Sequence, residues 1–123
     1  MLVRMAKIGL VLDCSDPERL AQFWAEALGY QRIGAAGSYV LLCSDQPAAP
    51  KLLLQQVPEP KAVKNRMHLD IETPDIENEA IRLEALGARR LQSEPLGEHS
   101  TSWFLMADPE GNEFCVCDGG ANG

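Results

Sequence analysis

The chain has 123 residues, 46% hydrophobic and 24% charged, with a formal net charge of −7. That length suits one ordinary domain, which buries enough surface to fold without a disulfide or a metal. The acidic balance argues against nucleic acid and anionic membrane as partners, because both are met by basic patches, and no apolar run is long enough to span a bilayer.

The opening residues, Met1 to Lys7, lack the long apolar segment of a signal peptide, so a cytoplasmic location is expected. Residues 6–13 read as a strand. Ser15-Asp16-Pro17-Glu18 then starts a helix, with a capping side chain, a proline in the first turn and an acid that suits the dipole. The helix runs to Leu28 and stops at Gly29. Leu20, Phe23, Trp24, Ala27 and Leu28 recur at helical spacing, so Trp24 is expected in the core. Tyr30–Ile33 and Ser38–Cys43 form a predicted hairpin around a Gly34-Ala35-Ala36-Gly37 turn. A loop with two prolines leads to a strand over 51–57, and Pro58-Glu59-Pro60-Lys61 reads as a linker.

The pattern then returns. Residues 66–72 read as a strand with two different faces, Met67, Leu69 and Ile71 on one side and His68, Asp70 and Glu72 on the other. Thr73-Pro74-Asp75 starts a second helix, which runs to Leu86 and stops at Gly87. Residues 89–92 form a short strand and 95–101 a loop. Residues 102–106 form a strand, 108–112 a turn with Gly111 at positive φ, and 113–117 the last strand. The glycine-rich tail from Gly119 is expected to fray.

Ala25-Glu26-Ala27-Leu28-Gly29 parallels Leu83-Glu84-Ala85-Leu86-Gly87, and Gly9-Leu10-Val11-Leu12-Asp13 parallels His68-Leu69-Asp70-Ile71-Glu72. Each half is strand, helix, then three strands: a duplicated unit rather than a solenoid. The fold class expected is α+β, a single domain over 1–123. Two βαβββ modules, about 1–60 and 61–123, would form a curved, open barrel-like mixed sheet with the helices outside. The faces left free of helix would enclose a cavity, a common place for ligands.

The four cysteines, Cys14, Cys43, Cys115 and Cys117, contain no CxxC pair, which argues against a zinc knuckle or thioredoxin motif. In a reducing cytosol all four are expected as free thiols. Cys115 and Cys117 share a strand face at a spacing near the upper limit for a disulfide.

The run Asp13-Cys14-Ser15-Asp16-Pro17, followed by Leu20-Ala21-Gln22-Phe23-Trp24 and Leu28-Gly29, resembles the vicinal oxygen chelate superfamily. This group includes glyoxalase I, extradiol dioxygenases, fosfomycin-resistance enzymes and bleomycin-binding proteins. With Lys64 to Asp70 and Asp108 to Cys115 added, the chain looks most like the branch called glyoxalase-like. The resemblance covers nearly the whole chain. It does not specify a reaction, because one fold hosts many chemistries.

Metal-using members of the superfamily place four ligands on the first and last strand of each half, usually His and Glu. Carried onto this chain, those positions fall on Gly9, Gln55, His68 and Cys115. Glycine offers no side chain, an amide is a weak ligand, and a thiolate prefers softer metals such as zinc. No cofactor is therefore expected; should a divalent metal bind, a shifted set of His68, Glu113 and Cys115 would hold it.

The resemblance leaves two classes of function. One is a module that holds a small organic molecule in the cavity, lined by Gly9, Gln55, His68, Asp70, Trp103, Glu113 and Cys115. The other is an enzyme: a metal-dependent lyase, isomerase or dioxygenase, or a metal-free acid–base catalyst using His68 with Glu113. His68 reads as a ligand, a general base or a binding group, or else as a polar cavity residue left by descent. Glu113 reads as an acid or base, or as one half of a salt bridge with an arginine such as Arg66. Trp103 would stack on a ligand or pack at the rim. Glu72 at the strand end reads as solvated, and His99 as exposed in its loop. Relatives commonly pair, so a homodimer is expected.

Overall fold

The computed structural model describes residues 8–98 and 101–118. The chain divides into two compact units, Met1–Pro60 and Lys61–Gly123. The fold is mixed α+β, with one open sheet and one helix in each unit among the described residues.

In the first unit β1 (Leu10–Cys14), α1 (Pro17–Leu28), β2 (Gln31–Ala36), β3 (Tyr39–Cys43) and β4 (Leu52–Gln56) follow one another. The sheet order is β1-β4-β3-β2, with β1 parallel to β4 and the other pairs antiparallel. The start of α1 is set by Asp16, whose carboxylate accepts the Arg19 N–H at 3.2 Å, with Pro17 in the first turn. Its end is set by Gly29, left-handed at φ +70. The helix buries Leu20, Phe23, Trp24 and Ala27, and the sheet buries Val40, Leu42, Leu52 and Leu54. Trp24 is core, as its spacing predicts.

Two boundaries differ from expectation. The hairpin turn is Gly37-Ser38 alone, because β2 continues to Ala36 and pairs it with Tyr39. Gly34 belongs to a bulge within β2 rather than to the turn, and only Gly37 takes positive φ, at +58. Pairing of β1 with β4 begins at Leu10, so Gly9 precedes the strand. Residues 6 and 7, also expected in that strand, lie outside the described residues.

In the second unit β5 (Asp70–Glu72), α2 (Ile76–Ala85), β6 (Arg89–Arg90), β7 (Leu96–Glu98), β8 (Thr101–Ala107) and β9 (Glu113–Cys117) give the sheet order β5-β9-β8-β6. Strand β7 also pairs with β8, so the edge strand of the repeat is present as two short pieces. Asp75 caps α2 by accepting the Asn78 N–H at 3.1 Å. Ala80 and Leu83 are buried, as are Phe104, Met106, Phe114 and Val116 of the sheet. Arg90 clamps the helix to this face: its guanidinium lies 4.5 Å over the Phe104 ring and pairs with Glu77 and Glu84 of α2. Asp108, buried in the β8–β9 turn, accepts the backbone N–H groups of Glu110 and Asn112, both at 2.9 Å. Gly111 closes that turn at φ +89.

The structure corrects two expectations here. Residues 66–69 are not strand. Ladder pairing starts at Asp70, and Met67 is exposed rather than on a buried face. The segment expected as a loop over 95–101 contains β7, whose pairing with β8 prevails over a composition that reads as turn. His99 and the glycine-rich tail lie outside the described residues.

Candidate functional site

Parallel pairing of β5 with β9 sets Asp70 opposite Cys115 and Glu72 opposite Cys117. Antiparallel pairing of β9 with β8 sets Cys115 opposite Leu105 and Cys117 opposite Trp103. Trp103 in turn faces Leu96 of β7. Strand alternation puts all these side chains on the face turned away from α2, since Phe104, Phe114 and Val116 occupy the face that α2 covers. One side of this sheet thus carries Trp103 and Leu105, both half-buried, beside a polar row of Asp70, Glu72 and two thiols.

His68 joins that row from just outside β5. Its Nε2 lies 3.3 Å from Asp70 Oδ1. Donor atoms of His68, Asp70 and Cys115 all lie within 4.8 Å of one another. Burial holds the Cys115 thiol up at about 11, with the Asp70 carboxylate adding to the effect and Lys64 opposing it. Cys115 is therefore a protonated thiol at neutral pH, not a ready nucleophile.

Glu113, two residues before Cys115 on β9, is engaged by other groups. One carboxylate oxygen accepts the Asn65 N–H at 2.8 Å and the other pairs with Lys61 Nζ at 3.0 Å. The Asn65 bond, with Lys61 in support, outweighs desolvation and holds the carboxyl at about 2. Its cationic partner is Lys61, not Arg66. Of the set expected for a metal, His68 and Cys115 come together, and Asp70 stands where Glu113 was expected. Asn65 and Lys61 carried no signal in the sequence beyond their place before the strand.

Gly9 and Gln55 belong to the first unit. Gly9 precedes β1, and a side chain there would meet nothing within 4 Å. Gln55 is half-buried in β4, opposite Asp13 and Tyr39. Glycine supplies no donor and the neutral amide a poor one, so a metal in this chain would rely on the imidazole, carboxylate and thiol of the second unit.

The family model for the glyoxalase-like domain matches residues 9–117. No curated protein matches the chain. Among solved structures it is similar to a glyoxalase/bleomycin resistance protein/dioxygenase family enzyme from Burkholderia phytofirmans PsJN, at 15% identity and TM-score 0.71, over 88% of this chain and 94% of that one. It is also similar to a glyoxalase/bleomycin resistance protein/dioxygenase from Nocardioides, at 17% identity and TM-score 0.72, over 95% and 85%. A glyoxalase-related enzyme from Fulvimarina pelagi matches at 19% identity and TM-score 0.68, over 94% and 88%. At these identities the structures share the fold.

Proposed function

Because this chain belongs to the glyoxalase-like domain family, we propose that it binds a small organic molecule on the face of the β5-β9-β8 sheet turned away from α2. The observation that carries this reading is the meeting of His68, Asp70 and Cys115 within 4.8 Å, beside Leu105 and Trp103. Small-molecule sites combine an apolar wall with a few convergent polar groups. Trp103 and Leu105 supply the wall, and His68 supplies a ring that can donate or accept a hydrogen bond. A thermal-shift screen of small molecules tests the reading. Hits should weaken in His68→Ala and survive EDTA; hits indifferent to both His68→Ala and Trp103→Ala would sink it.

The same three donors favour a second reading, a metal-dependent lyase, isomerase or dioxygenase of the vicinal oxygen chelate type. One nitrogen, one oxygen and one sulfur donor suit a borderline ion such as zinc better than magnesium or calcium. A bound ion there would act as a Lewis acid on a ligand oxygen. It would have to displace the Cys115 proton, so uptake would rise with pH. Elemental analysis separates the readings: one tightly held ion per chain, lost in His68→Ala, selects the metalloenzyme.

The reading includes a homodimer in the cytoplasm. Edge strands at both ends of each sheet support pairing of copies.

A further inference from the structure

His68 stands on a stretch of backbone that is outside the sheet yet held at both ends by it. We infer that Glu113 is a positioning residue: by gripping the backbone of Asn65, its side chain sets where His68 stands relative to Asp70 and Cys115. The inference draws its functional meaning from the reading of His68 as a contact group.

The grip has several parts. Glu113 accepts the Asn65 N–H at 2.8 Å and a hydrogen bond from Lys61 Nζ at 3.0 Å. The Lys61 ammonium also donates to the Val63 carbonyl. The Asn65 side-chain amide reaches Asn112 Oδ1 at 3.5 Å, and Asn112 is buried and bonded to Asp108. At the other end, the Leu69 carbonyl accepts the Cys115 N–H at 2.9 Å. Asn65 and Leu69 are thus both tied to β9, at Glu113 and at Cys115.

Glu113 and Cys115 are two residues apart on β9, about 7 Å along the strand, and Asn65 is held through the Glu113 side chain rather than by the backbone ladder. The chain from Asn65 to Leu69 could span about 13 Å if extended. The mismatch keeps the segment out of the ladder with β9 and leaves Arg66 and Met67 exposed. It explains why strand pairing waits until Asp70. It also means that the position of His68 depends on a side-chain bond at one end. The Glu113 side chain is only 14% exposed, so water competes weakly for that bond.

Magnetic resonance and amide exchange on the whole, ligand-free chain test the inference. In Glu113→Ala the Asn65 amide should exchange at least about tenfold faster, and the His68 ring resonance should move towards that of the unfolded chain. The amides of β8 should stay within about twofold of the parent. Glu113→Gln keeps an oxygen that can accept the Asn65 N–H and should restore the His68 resonance. Glu113→Asp keeps the charge but falls one methylene short, and should shift His68 as alanine does. His68→Ala assigns the resonance. A His68 signal unmoved in both Glu113→Ala and Glu113→Asp overturns the inference. So does a loss of protection in β8 equal to that at Asn65, which would make Glu113 a general brace of the sheet. No ligand enters this measurement, so its failure is separate from failure of the ligand-binding reading.

Discussion

Asp70 and Cys115 are partners across the parallel β5–β9 pair, and their pairing sets a carboxylate against a thiol. Burial is the larger cause of the raised Cys115 pKa, about 11, and the negative charge of Asp70 adds to it. At pH 8 the thiolate fraction of such a group is about two orders of magnitude below that of a free cysteine. Iodoacetamide should therefore label Cys115 far more slowly than Cys43, which is half-buried. Asp70→Asn should speed labelling of Cys115 without matching Cys43, because burial remains. Peptide mapping by mass spectrometry checks both rates; equal labelling of Cys115 and Cys43 in the parent chain would contradict the assignment.

Glu113 predicts an acid-sensitive contribution to stability. Its carboxyl sits at about 2 in the folded chain, below the ordinary glutamate value of about 4.3 when unfolded. The contribution is full above the unfolded value and is lost as pH falls towards 2. The Lys61 side chain is 23% exposed, so solvent screening trims the effect to about 1–2 kcal/mol. Urea midpoints measured from pH 6 down to pH 2.5 should fall less steeply in Glu113→Gln than in the parent. Parallel curves would remove Glu113 as the cause.

Asp108 holds the β8–β9 turn from inside. It is 2% exposed and accepts from the backbone of Glu110 and Asn112 and from the Asn112 side-chain amide. Asp108→Ala leaves those buried donors without an acceptor and should cost about 2–4 kcal/mol, read as a lower urea midpoint. Asp108→Asn keeps one acceptor oxygen and should cost about half as much. A shift in Asp108→Ala under about 0.5 kcal/mol would show that water satisfies the turn instead.

Light scattering at micromolar concentration should give the mass of two chains. The ground is the edge strands that each sheet has among the described residues, β1 and β2 in one and β5 and β6 in the other, which association would cover. A species with the mass of one chain alone refutes the dimer.

The sequence by itself determined what local chemistry decides. Both helices start at an aspartate cap, and both stop at a glycine of positive φ, Gly29 and Gly87, because caps and left-handed turns are properties of a few adjacent residues. Alternation in 113–117 was legible, as was the recurrence of strand, helix and strands in the second half. The family followed from those same motifs. Only the tertiary structure decided which distant residues meet. Partnership of Asp70 with Cys115 depends on the register of two parallel strands joined by a helix and three further strands, and no local pattern sets it. The bond between Glu113 and Asn65 spans 48 residues, and a strand that alternation alone extends back to residue 66 begins its pairing only at Asp70. The same kind of non-local pairing made β7 out of residues whose composition reads as loop. Register and side-chain-to-backbone bonds are chosen by the summed packing of a whole sheet, so they appear only once the chain has folded.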